Sequence, residues 1–149
     1  MIEVGEKAPD FALRDQDGEK VSLSDFNGRK VLLVFYPGDF SPVCGDQLSI
    51  YQEVKPEIAE KGVELIGISV DSFFAHKAFQ EKIGTDTTLL SDFEPKGEVA
   101  RAYGSYVEKM GFANRTLVLI DEDGVVAWTY ESPSPGEFPG ANVIFDALK

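Results

Sequence analysis

The stretch Val31 to Cys44, reading VLLVFYPGDFSPVC, constrains this chain more than any other. Its first half is a near-continuous apolar run, the signature of a strand buried on both faces, and Pro37 and Gly38 end that strand abruptly. The loop that follows delivers the only cysteine of the chain to a segment, Val43 to Ala59, that reads as a helix. A thiol at such a strand-loop-helix junction is a candidate nucleophile, because the first N–H groups of a helix favour thiolate over thiol. The alternative is an inert cysteine that packs as a small hydrophobe.

The rest of the chain supplies the setting. Phe11 and Leu13, the turn Asp15 to Gly18, then Val21 and Leu23 predict an antiparallel hairpin ahead of the main body. Leu48, Tyr51, Val54 and Ile58 give the helix after the cysteine one apolar face, and Pro56 predicts a kink or a break in it. Val63 to Val70 reads as a second strand, and a helix from Phe73 to about Ile83 follows, with Asp71 or Ser72 as cap and Gly84 as stop. Thr87 to Leu90 is a third strand, Glu98 to Tyr103 a short helix, and Gly104 to Gly111 a loop. Arg115 opens two apolar runs around the turn Asp121 to Gly124, a strong hairpin signal. Ser132 to Gly140 is a Pro- and Gly-rich loop, and Ala141 to Leu148 a terminal helix.

This order predicts an α/β fold with a mixed central sheet, helices on its faces and an N-terminal β-hairpin. A chain of 149 residues suits one domain, 1–149. The cysteine loop falls beyond the carboxyl ends of the parallel strands, where ligands of open α/β sheets bind.

Charge and cysteine usage exclude several classes of function. A formal net charge of −12 spread along the chain, without a basic patch, argues against nucleic acid as a partner. No apolar run approaches the roughly 18 residues of a membrane span, and the N-terminus lacks the pattern of a signal peptide, so a cytoplasmic location is expected. One cysteine excludes an internal disulfide and a CxxC pair. No metal-ligand spacing occurs, His76 is the only histidine and reads as a surface or helix-packing residue, and no cofactor is expected. Asp39 reads as a turn residue and Phe40 as a pocket or interface residue; Phe73, Phe74, Trp128 and Tyr130 read as packing residues. Of the arginines, Arg101 and Arg115 merit testing, Arg115 above all.

The segment PGDFSPVC resembles the active-site motif of the peroxiredoxins, Pro-x-x-x-Thr/Ser-x-x-Cys, with Pro37, Ser41 and Cys44 in its fixed places. The opening GEKAPDFAL, the strand before the motif and Arg115 extend that resemblance over nearly the full chain. The single cysteine and overall length resemble the alkyl hydroperoxide reductase E group, or a one-cysteine relative of the bacterioferritin-comigratory type. The resemblance implies a thioredoxin-like fold and a thiol-dependent peroxidase acting on hydrogen peroxide, organic hydroperoxides and peroxynitrite. It further implies that Cys44 is the peroxidatic cysteine, that Ser41 bonds the peroxide, that Pro37 shields the thiolate, and that Arg115 holds both thiolate and peroxide.

Two departures stand out: Ser41 takes a place more often held by threonine, and Gln47 one where many relatives carry glutamate. Gln47 is therefore a possible supporting residue, able to bond the arginine or the backbone. Without a resolving cysteine, the family implies an external thiol reductant: thioredoxin, a glutaredoxin-like protein, or a low-molecular-weight thiol such as mycothiol or glutathione. It also implies a homodimer, with Phe40, Phe73 and Tyr106 as candidate contacts. A non-catalytic binding or chaperone-like role, a glutathione-peroxidase-like enzyme and a thiol-disulfide oxidoreductase are the competing readings.

Overall fold

The computed structural model describes residues 1–148, apart from the side chain of Pro42. Its main sheet has seven strands in the order β2-β1-β5-β4-β3-β8-β9. These are β1 (Ala12–Arg14), β2 (Lys20–Ser22), β3 (Lys30–Phe35), β4 (Val63–Ser69), β5 (Thr88–Ser91), β8 (Thr116–Ile120) and β9 (Val126–Glu131). The helices are α1 (Pro42–Glu60), α2 (Phe73–Ile83), α3 (Glu98–Ala102) and α4 (Ala141–Ala147). β3, β4 and β5 run parallel, β8 pairs antiparallel with β3, and β1 with β2 forms the expected N-terminal hairpin. This is the thioredoxin-like α/β arrangement.

The central strand β3 is buried on both faces, and its alternation splits the core into two layers. Val31, Leu33 and Phe35 pack with Ile66, Ile68, Val118, Ala100 and Tyr103, whereas Leu32, Val34 and Tyr36 face Leu48, Tyr51, Ile58, Phe79 and Ile144 from α1, α2 and α4. Cys44 belongs to the second layer. α2 begins at Ser72, whose Oγ accepts from the Ala75 N–H at 3.3 Å, and stops at Gly84, which adopts the left-handed conformation.

Two local expectations differ from the structure. α1 runs from Pro42 to Glu60 without a break at Pro56; Pro56 is exposed, so the lost intrahelical bond is left to water while Ile58, two residues on, stays packed. The segment from Gly104 to Gly111 is not a plain loop, because Tyr106–Val107 (β6) pairs antiparallel with Phe112–Ala113 (β7). Strands of two residues carry too little periodicity to be read from sequence. Among the described residues, no helix is long and apolar enough to cross a membrane.

Candidate active site

Two features of the chain bring the site together. The parallel pairing of β3 with β4 ends at Phe35 and Ile68, so the loop from Tyr36 to Ser41 leaves the carboxyl edge of the sheet. The antiparallel register of β3 with β8 sets Phe35 opposite Thr116, which places Arg115 beside the start of that loop. Phe35 and Thr116, 81 positions apart in sequence, are thus brought side by side by strand register.

Ser41 is the N-cap of α1. Its backbone is extended and its Oγ accepts from the Cys44 N–H at 3.3 Å, which leaves the hydroxyl proton free to donate. A serine followed by proline at the first helical position is a helix-start signal, so this cap was readable from SPVC. Cys44 lies in the first turn, fully buried, and is the free cysteine of the chain. Pro37 is also buried. Between them Phe40 has φ +66°, a conformation that costs a side-chain-bearing residue, and its ring rests edge-on against Phe79 at 5.3 Å.

Arg115 is 1% exposed. Its Nη1 donates to Gln47 Oε1 at 2.8 Å and its Nε to the Pro135 carbonyl at 2.6 Å. Among the described residues Nη2 bonds to nothing and no carboxylate pairs with the guanidinium. Gln47, fully buried, donates in turn to Tyr51 Oη at 3.1 Å, and Tyr51 donates to the Pro139 carbonyl at 2.6 Å. Burial pushes the Tyr51 phenol well above its ordinary range, so it stays a donor. The Pro-rich segment 132–140 is therefore a strap. Ser132 Oγ ties it to the carbonyls of Ser134 and Glu137, and two of its other carbonyls fix Arg115 and Tyr51.

Tyr51 and the strap carbonyls were missed by sequence reasoning. Gln47 and Tyr51 are one turn apart on α1, a spacing that could have suggested the pair; a backbone carbonyl leaves no residue-type signal. Arg101 lies elsewhere, bonded to Glu108 and stacked 4.0 Å over the Tyr106 ring.

A second polar cluster backs the cysteine loop. His76 is fully buried rather than at the surface. Its Nδ1 lies 2.7 Å from Asp39 Oδ2, and its Nε2 lies 3.0 Å from the Leu90 carbonyl oxygen. Asp39, expected as a turn residue, also accepts from Tyr36 Oη at 2.7 Å, and its N–H donates to Asp71 Oδ2 at 2.8 Å. The lone histidine thus has acidic company, with ligand-type atoms of Asp39, Asp71 and His76 within 4.8 Å of one another. Both ring nitrogens of His76 are already bonded within the protein, which leaves none for a metal ion. The partners come from three separate loops and helices, which is why no spacing in sequence announced them.

The fold is a thioredoxin-like sheet with a buried thiol in the first turn of a helix that leaves its carboxyl edge, and a buried arginine precedes the neighbouring strand. The AhpC/TSA family model matches residues 4–129, and the chain belongs to this family, the peroxiredoxins. It is 38% identical over 149 residues to alkyl hydroperoxide reductase E of Mycobacterium tuberculosis, covering 99% of this chain and 97% of that one. It is 42% identical over 132 residues to a bcp-type peroxiredoxin of Coxiella burnetii, covering 85% and 86%. The crystal structure of Enterococcus faecalis AhpC superposes with a TM-score of 0.91 at 29% identity over 99% of this chain and 91% of that one. The protein is a peroxiredoxin-type thiol peroxidase with a single cysteine.

Proposed function

We propose that Cys44 is the peroxidatic residue, that Ser41, Pro37 and Arg115 form its peroxide site with Gln47 in support, and that an external thiol recycles it. The Cys44 thiolate attacks the terminal peroxide oxygen in line with the O–O bond. An S–O bond forms, the O–O bond breaks, and the leaving hydroxide or alkoxide takes a proton to depart as water or alcohol, while peroxynitrous acid releases nitrite. The sulfenic acid on Cys44 then condenses with one external thiol, releasing water, and a second thiol frees Cys44 as an external disulfide forms.

The observation that carries this reading is the pose of Arg115. A buried guanidinium held only by neutral oxygens is costly, and an anion next to it offsets that cost. Nη2 is the part of the fork left to bind a thiolate or the oxygen on which charge develops. The free Ser41 hydroxyl proton supplies a second donor on the cysteine side.

Hydrogen peroxide, alkyl hydroperoxides and peroxynitrite are the proposed substrates. Thioredoxin, a glutaredoxin-like protein or a small thiol is the proposed reductant class. The chain acts as one domain in the cytoplasm, a compartment suited to a free thiol, with neither nucleic acid nor membrane as partner. It works as a homodimer through the active-site-side loops, with Phe40 (52% exposed) and the surroundings of Phe73 as contacts; Phe73 lines a cleft of about 590 Å³ with Phe74, Phe93 and Leu13. Tyr106, engaged by Arg101, is the weaker of the expected contacts.

The test is stopped-flow oxidation of the reduced protein by hydrogen peroxide and by cumene hydroperoxide, with mass spectrometry of Cys44, beside Arg115→Ala. The expected result is rapid formation of one sulfenic acid, slowed at least roughly 100-fold in the variant. Equal rates in both proteins would remove Arg115 from the mechanism.

A further inference from the structure

The cluster behind the cysteine loop contains four buried or half-buried polar side chains that the peroxide chemistry does not use: Tyr36, Asp39, Asp71 and His76. Their donors and acceptors can be counted. The Leu90 carbonyl only accepts, so His76 Nε2 carries a proton toward it. Tyr36 Oη donates to Asp39 Oδ1; its phenol is pushed far up by burial and by the Asp39 carboxyl beside it, so that proton stays. Between His76 Nδ1 and Asp39 Oδ2, 2.7 Å apart, there is room for one proton, on one atom or the other. With none, two lone pairs face each other; with two, two donors do.

The groups facing this pair are Tyr36 just after β3, Ser69 at the end of β4 and Asp71 beyond it, and the Leu90 carbonyl on β5. Among the described residues no lysine or arginine bonds to them.

Asp39 is also the residue just before Phe40, whose left-handed backbone persists only if its flanks are held. On one side the hold is Asp39, through Tyr36, His76 and the bond from its own N–H to Asp71. On the other it is the Ser41 cap on the Cys44 N–H. We propose that Asp39 and His76 form a one-proton latch that positions the loop carrying Ser41 and Cys44, and so sets the geometry in which Cys44 meets a peroxide. Asp39 and His76 are positioning residues, since neither bonds to Cys44. The inference rests on the reading of Cys44 as the peroxidatic residue.

Asparagine at position 39 mimics the one-proton state without charge. Its Oδ1 accepts from Tyr36, and its Nδ2 donates to the bare Nδ1 of neutral His76. The experiment compares wild type, Asp39→Ala and Asp39→Asn in stopped-flow oxidation by hydrogen peroxide, with alkylation of Cys44 by iodoacetamide measured in parallel. Alkylation needs an accessible thiolate but not the Ser41 and Arg115 geometry.

Asp39→Ala is expected to slow peroxide oxidation roughly 10-fold or more without slowing alkylation, and Asp39→Asn to recover most of the rate. An unchanged peroxide rate in Asp39→Ala overturns the latch, as does an equal slowing of both reactions, or no recovery with asparagine. If Asp39→Ala does not fold, Tyr36→Phe, which removes one donor from Asp39, carries the same comparison. A wild-type rate no faster than that of a small free thiol would instead remove the peroxidatic reading of Cys44, whatever the variants do.

Discussion

Gln47 Oε1 and Arg115 Nη1 lie 2.8 Å apart, both on buried side chains, one in the second turn of α1 and the other at the mouth of β8. The amide and the Pro135 carbonyl together fix the guanidinium at two of its nitrogens. The amide passes the constraint on to Tyr51, and through Tyr51 to the strap.

Gln47→Ala would leave a guanidinium N–H and the Tyr51 hydroxyl short of a partner in a buried site. Oxidation of Cys44 by hydrogen peroxide should fall about 10-fold or more, whereas Gln47→Glu, which keeps the acceptor and adds a counter-charge, should stay within roughly 3-fold of wild type. Stopped-flow rates of the three proteins decide the matter; an alanine variant as fast as wild type would mean that the strap alone holds Arg115.

Ser41 caps α1, and that task and its proposed peroxide binding separate by substitution. Ser41→Ala removes the cap of α1 and should cost about 1 kcal/mol in urea unfolding, together with a loss of peroxide reactivity. Ser41→Thr keeps the hydroxyl and should restore both. A threonine variant that regains stability without reactivity would separate the cap from peroxide binding.

Asp71 offers a test by pH. Burial is the main reason that its carboxyl is raised above the ordinary value of 3.8, with the Asp39 carboxyl adding to it. The folded protein therefore holds this proton more tightly than the unfolded chain. The resulting stability is complete below the ordinary value and is lost as pH rises through the raised one. Asp71→Asn keeps an acceptor for the Asp39 N–H and Ser69 Oγ but cannot ionise. Its urea midpoint, compared with wild type, should improve between about pH 3 and about pH 7. A difference constant across that range would show that Asp71 does not contribute to the pH slope.

Gly97 precedes α3 at φ +73°, and a Cβ built there would come within 2.3 Å of the Tyr106 ring. Gly97→Ala should destabilise by about 2 kcal/mol or more, from left-handed backbone strain and displacement of Tyr106. Thermal unfolding measures it; an unchanged melting temperature would mean that the β6-β7 hairpin yields freely.

The fold was legible wherever period and punctuation agreed. The run Val31 to Tyr36 stopped by Pro37-Gly38, and α2 bracketed by Ser72 and Gly84, announce their own limits because each boundary has a local physical cause. Pro56 did not divide α1 because a proline on an exposed helical face is tolerated, and exposure is a property of the fold. For the proposed site, Pro37, Ser41 and Cys44 could be named because a motif marks them, and Arg115 because it opens the strand that pairs with β3. Gln47 could be named as a candidate, but its partner was only one of two options. His76 and Asp39 were read as unremarkable because they are 37 residues apart and their bond forms only after α2 packs on the sheet. The carbonyls of Pro135 and Pro139 act through the path of the backbone, which side-chain identity does not encode.

The strap has a consequence for the timing of synthesis. A chain leaving the ribosome presents Cys44 early, on the first helix, while Arg115 is still to be added and the segment that fixes it comes later still. A nascent or truncated chain therefore displays the thiol without the apparatus that aims it. On the proposed reading, peroxide reactivity is acquired only once the segment 132–140 has been added.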